Sequence, residues 1–276
     1  MRPAPDSSGA GRLRISQQGI VMKFSATIQH RGREYAVDFS RPIDLSMPLR
    51  AGMEGVNCFW APPMEVRPVV AGDFVGSTEL GGPVNFMNVQ FNPHGNGTHT
   101  ECVGHIAREK FSINTCLTRF HFLAKLVSLY PVRKENGDRV IESEQLSALV
   151  GEGEAEALIV RTLPNDSLKL RTNYSGSNPP YFEHEALLHL VRCGVVHLLT
   201  DLPSVDREED GGRLLSHRAF WQYGSGALEE VRTQATISEL IYVPNEVVDG
   251  LYLLNLQIAS FDIDVSPSKP VIYPLM

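Results

Sequence analysis

Residues 94–105 read HGNGTHTECVGH, which packs three histidines and a glutamate into one short stretch, with glycines between the first two histidines and before the last. If the chain is extended from Thr98 onward, alternation places His99, Glu101, Val103 and His105 on one face and Thr100, Cys102 and Gly104 on the other. Two imidazoles and a carboxylate then converge. His94 precedes a Gly95-Asn96-Gly97 turn, where glycine tolerates a positive φ that would fold the turn back and bring a fourth ligand close. With Cys102 facing away, the donor set is nitrogen and oxygen, which suits zinc, manganese or iron(II) rather than a closed thiolate zinc knot. Histidines beside glycine loops also cap turns, and local spacing alone leaves both readings open.

Composition narrows the class. A chain of 276 residues with 42% hydrophobic residues can bury a substantial core. The net charge of −7, with no long block of like charge, lacks the basic footprint of a nucleic-acid binder. Cys58, Cys102, Cys116 and Cys193 are widely spaced without a CxxC pair, so reduced thiols and a cytoplasmic setting are expected. No run of eighteen apolar residues suggests a membrane span. Residues 1–21 are polar and rich in Gly, Ser and Arg. They are expected to be a disordered extension ahead of a single domain over residues 22–276, with an organelle transit peptide as the alternative.

The remainder reads as many short strands and few helices. Residues 24–30 and 34–39 form a hairpin about Arg31-Gly32-Arg33, and strands are expected at 85–92, 120–129, 157–161, 195–199, 239–244 and 251–258. Helices are expected at 142–149 and at 181–193, the second ending at Gly194. Two further polar segments could complete a site, though sequence physics alone would select neither: Asp201 to Asp206 (DLPSVD), placed after a buried strand, and His217 (in LLSHRAFW) paired with Glu239 (in TISELIYVP).

These segments together resemble the cyclase family of metal-dependent hydrolases that includes bacterial kynurenine formamidase, whose signature is HxGTHxDxPxH. Gly97-Thr98-His99 matches the GTH, Glu101 stands where the family has Asp, Val103 replaces Pro, and His105 matches the last His. Residues 43–48 (IDLSMP) resemble the opening strand, and residues 201–206 the DxPSVD segment. The resemblance spans everything after the leader. Four residues rather than three separate His94 from His99, a shift that a glycine turn can absorb.

The resemblance implies an α/β fold of the β/β/α swivelling type, a layered domain with a sheet-rich core and helices on one side. It implies a metal site of His94, His99, Glu101, His105, His217 and Glu239, holding one or two divalent ions, zinc or manganese. His105 and Glu239 would be catalytic, and Trp60, in NCFWAPP, would give an aromatic wall for substrate, with Phe59, Phe182 and Trp221 as further candidates. The expected activity is arylformamidase-like hydrolysis of a small amide, cyclic amide or ester. A cyclase or dehydratase using the same metal, or a non-catalytic binding protein, are the alternatives. The expected partners are a small-molecule substrate and further copies of the chain in a homodimer or homotetramer, with no nucleic acid and no membrane. His30, His121, His184, His189 and His197 are read as structural.

Overall fold

The computed structural model describes residues 25–276. The extension expected at residues 1–21 lies outside them. The hairpin comes first, β1 (Ser25–His30) pairing antiparallel with β2 (Arg33–Asp38), and is followed by β3 (Ile43–Asp44). Next, β4 (Glu65–Pro68) pairs with β5 (Met87–Gln90) in an arm that leaves Val66, Val70, Leu80, Phe86 and Val89 exposed. The central strands are β6 (His99–Glu101), β7 (His121–Leu129), β8 (Ala157–Thr162), β9 (His197–Thr200), β10 (Thr236–Glu239), β11 (Gly250–Ile258) and β12 (Val265–Pro274). They run in the order β11-β7-β8-β9-β10-β6-β12, and β11 pairs back onto β12, so the sheet closes like a barrel with β3 appended to β12. β7 to β10 are mutually parallel, and the other pairings are antiparallel.

Strand alternation divides the apolar residues between two cores. Leu126, Ala157, Ile159, Leu199, Leu254 and Ile272 point inward and fill the barrel. Their neighbours Val127, Leu158, Val160, Leu198 and Ile237 point outward, against α1 (Ser143–Leu149), α2 (His184–Arg192) and α3 (Leu215–Trp221). Strands buried on both faces read as continuous hydrophobic runs, as residues 157–160 (ALIV) do. The expected sheet-rich core with helices on one side is therefore the architecture observed. α1 begins at a reciprocal cap, the Glu142 side chain and the Gln145 side chain each accepting the other's backbone N–H. α2 ends before Gly194, at φ 83°, as its sequence predicts.

Two expectations fail locally, and one strand is missing from them. Residues 181–182 are a short strand, and the helix starts only at His184. The strand expected at 239–244 is instead β10, which ends at Glu239. Leu240 then turns to φ 53°, so the apolar run behind it bonds to loops, with Leu240 N–H on Leu202 O and Tyr242 N–H on Leu45 O. β12 was not foreseen, because Pro267, Pro270 and Pro274 each remove a ladder donor.

Candidate metal centre

β6 carries the heart of the site. Thr100 faces inward and hydrogen bonds to Ser238 at 2.7 Å, so His99 and Glu101 face outward, toward the helices, and both are fully buried. Cross-strand register sets Glu239 of β10 opposite His99, with Glu239 Oε2 3.3 Å from His99 Nε2. α3 delivers His217, whose Nε2 lies 3.2 Å from Glu101 Oε1. His94 arrives from the glycine turn with Nδ1 3.2 Å from Glu101 Oε2. The extra residue between His94 and His99 is absorbed, their ring centroids lying 5.2 Å apart.

Two details of the expected geometry are corrected. The extended segment stops at Glu101, and His105 comes from a 3-10 turn over Val103–His105, which still brings its Nδ1 to 3.6 Å from Glu101 Oε2. Gly95 and Gly97 do not serve by positive φ. Their lack of a side chain permits close approach, since a Cβ on Gly95 would meet Ala61 Cβ at 2.3 Å and one on Gly97 would meet Leu49 at 2.6 Å.

The structure also brings in groups beyond the expected six. Asp206 accepts from the backbone N–H groups of Ser216 and His217 and sits 2.6 Å from His217 Nδ1. Asp201, from the same loop, points away into an ion pair with Lys169 at 2.7 Å. Asp264, which no motif singles out, places Oδ2 3.1 Å from His94 Nε2 and 3.7 Å from His105 Nδ1. Trp221 is buried against His217, ring centroids 5.4 Å apart, and donates its indole N–H to Ala235 O. Trp221 and Phe182 are core residues.

Electrostatics concentrate on Glu101. Burial opposes its charge, but His105, His217 and His94 around it hold the carboxyl well below its usual range. Burial likewise disfavours charge on His94, yet the Asp264 and Glu101 carboxylates beside it outweigh that and raise the imidazole to about 10. His217 is raised to about 10 in the same way, by Asp206 and Glu101 against burial. The His105 and His94 imidazoles beside it hold Asp264 well below the usual carboxylate range. A site that draws protons onto several imidazoles also attracts a cation.

The residues fit a divalent ion on an independent ground. His99 Nδ1 lies 2.9 Å from Gly97 O and can donate its N–H there, which leaves Nε2 as a lone pair. That Nε2 and Glu101 Oε2 are both buried and neither makes a formed hydrogen bond, although Oε2 has the His94 and His105 imidazoles beside it and Nε2 has the Glu239 carboxylate. Leaving one such buried atom unsatisfied costs about 1–3 kcal/mol. An ion coordinated by both would satisfy them together. Three groups among the described residues have ligand atoms within 4.8 Å of one another: His94, His99 and Glu101; His94, His105 and Asp264; and Glu101, His105 and His217. Cys58 is no competing donor, because burial pushes its thiol pKa up and its Sγ lies 3.4 Å from His94 O.

A cavity of about 370 Å³ opens onto this group, lined by His94, His105, His217 and Glu239 at its floor and by Phe59, Ala61, Arg207, Glu208 and Leu214 above. Trp60 is not part of that lining. It is 64% exposed and sits beside Ser175 and Gly176, while its neighbour Phe59 supplies the aromatic wall. Both residues have positive φ, 55° and 51°, and this turn sends the two rings to different sides.

A search of curated protein sequences finds no match. Solved structures match the fold at low identity. A potential metal-dependent hydrolase with cyclase activity is 14% identical, with a TM-score of 0.59 over 84% of this chain and 97% of that one. Isatin hydrolase A from Ralstonia solanacearum is 14% identical, with a TM-score of 0.59 over 84% and 91%. Isatin hydrolase A from Labrenzia aggregata is 13% identical, with a TM-score of 0.59 over 84% and 93%. The Cyclase family model matches residues 43–207, a span that includes the histidine loop and ends just after Asp206, and the chain belongs to that family.

Proposed function

We propose that this protein is a metal-dependent hydrolase of a small amide, cyclic amide or ester, with aryl formamides and isatin-like cyclic amides as leading substrates. The observation that carries the reading is the pair of buried ligand atoms His99 Nε2 and Glu101 Oε2, neither of which makes a hydrogen bond, beside a cavity lined by His94, His105, His217 and Glu239. The described isatin hydrolases share the fold and support a cyclic amide as substrate.

His94, His99, Glu101, His217 and Glu239 would hold the ion or ions, zinc or manganese, with His105 as a ligand where a second ion binds. Such an ion, when bound, lowers the pKa of water and polarises a carbonyl. Val205 N–H holds Glu239 Oε1 at 3.0 Å, which leaves Oε2 turned to His99. His105 is the most open of the imidazoles at 31% exposure, and it lines the cavity. It can therefore carry a proton between solvent and the leaving nitrogen or oxygen. Phe59 and Leu214 offer apolar walls to an aromatic ring.

The test is elemental analysis of protein expressed with added zinc or manganese, then turnover of N-formylkynurenine, isatin and simple lactones in ¹⁸O water. Hydrolysis places ¹⁸O in the product. Product without label assigns the cyclase or dehydratase alternative, and stoichiometric metal without turnover of any substrate removes the hydrolase reading. We also propose a homodimer or homotetramer, which would give the exposed apolar arm a partner. A sedimenting mass of one chain would exclude it.

A further inference from the structure

We propose that Asp264 is the carboxylate that orients His94 for metal binding, matching on one side of Glu101 what Asp206 does for His217 on the other. The proposal rests on the metal-site reading above. Both oxygens of Glu101 face imidazoles, Oε1 toward His217 Nε2 and Oε2 toward His94 Nδ1, each at 3.2 Å. The opposite nitrogen of each ring faces an aspartate, His217 Nδ1 at 2.6 Å from Asp206 and His94 Nε2 at 3.1 Å from Asp264. Glu101 is thus flanked by two Asp–His pairs.

A neutral imidazole carries one N–H, and the partner of that N–H decides which nitrogen is left to coordinate. With its proton on Nε2 and bonded to Asp264, His94 turns the Nδ1 lone pair toward Glu101, in the group it forms with His99. The other tautomer would set a lone pair against the Asp264 carboxylate.

The fold builds this placement deliberately. Val265 pairs opposite Glu101, and Cys102 N–H bonds to Asp264 O at 3.0 Å, so Asp264 is held where the β6–β12 ladder ends. Gly104 makes room for it, because a Cβ there would lie 3.0 Å from Asp264 Cβ and 2.5 Å from Phe111 O.

The experiment compares full-length wild type, Asp264→Asn and Asp264→Ala. Zinc affinity is read by competition with a chromogenic chelator, stoichiometry by elemental analysis, and solvent exchange of the His94 Nε2–H by ¹H–¹⁵N NMR of the zinc-loaded protein. Alanine is expected to weaken affinity about 10- to 100-fold and asparagine less, at unchanged stoichiometry, with the metal-free protein still folded though less stable for want of the His94–Asp264 pair. The Nε2–H of His94 is expected to exchange slowly with solvent in wild type, where Asp264 accepts it, and fast in the alanine variant. Equal affinity and equally slow Nε2–H exchange in both variants overturn the proposal. Loss of one ion per chain at saturation also overturns it, by making Asp264 a ligand itself. A wild type that takes up no zinc would instead remove the underlying metal-site reading. Should Asp264→Ala fail to fold, Asp264→Asn carries the same comparison.

Discussion

Glu239 and His99 are direct partners across two strands: the register of β10 on β6 sets them opposite each other, with Oε2 and Nε2 3.3 Å apart in a buried setting. Because His99 can commit its Nδ1–H to Gly97 O, a lone pair there faces a carboxylate oxygen, which is unfavourable until a cation sits between them. Metal should therefore stabilise the fold by mass action, about 2.7 kcal/mol when free ion stands a hundredfold above its dissociation constant. Calorimetry is expected to show a melting temperature that rises with zinc or manganese and falls with chelator. Glu239→Gln should lose most of that rise. A wild-type melting temperature indifferent to both additions would contradict the assignment.

Legibility in the sequence followed how local each constraint is. His94, His99, Glu101 and His105 stand within one short motif, and one strand with two turns brings them together. His217 and Glu239 could be selected only through the family resemblance, since their approach depends on α3 packing and on β10 register. Asp264 was invisible because it sits at the entrance to a strand hidden by three prolines. The choice between Phe59 and Trp60 rests on two successive positive φ values that no side-chain pattern announces.

Alkaline pH should destabilise the metal-free protein. His94 and His217 are raised to about 10 from an ordinary 6.5, so the stability they contribute is complete below about 6.5 and is lost as pH rises through about 10. The slope should reach up to about 1.4 kcal/mol per pH unit for each group. Urea midpoints from pH 6 to 10, in the presence of chelator, are expected to fall. Saturating zinc should abolish the fall, because a bound ion replaces the protons. Glu101→Gln should flatten the slope without metal, as it removes the charge that both imidazoles share.

The acid limb has a different source. His197 lies inside the barrel, its Nδ1 2.9 Å from Thr236 Oγ1 and its ring 3.9 Å from that of Phe122. Burial, with the charges of Arg119 and Arg232, lowers it from 6.5 to about 3. The unfolded chain therefore binds a proton that the folded one refuses. Stability is full above about 6.5 and drains as pH falls toward 3, by up to about 1.4 kcal/mol per unit. His197→Gln should show a shallower loss than wild type between pH 6.5 and 4 in urea titrations. Parallel acid limbs would locate the titrating group elsewhere.

Gly95 offers a test of how the histidine loop is held. Its φ is not in the left-handed region, so alanine meets no backbone penalty there, and the obstacle is steric. A new Cβ would lie 2.3 Å from Ala61 Cβ and 3.2 Å from Cys58 O. Gly95 N–H also bonds to Asn92 Oδ1 at 3.1 Å, and Cys58 N–H to Gly95 O at 3.0 Å, so the loop cannot simply slide away. Gly95→Ala should cost about 1–3 kcal/mol as an overpacking change. It should also weaken metal binding, because His94 is the adjacent residue. Ala61→Gly removes the main obstructing atom. The double variant should therefore recover most of the lost stability and affinity, whereas Ala61→Gly alone should leave affinity near that of wild type. Additive losses in the double variant would mean that His94 is positioned by something other than this contact.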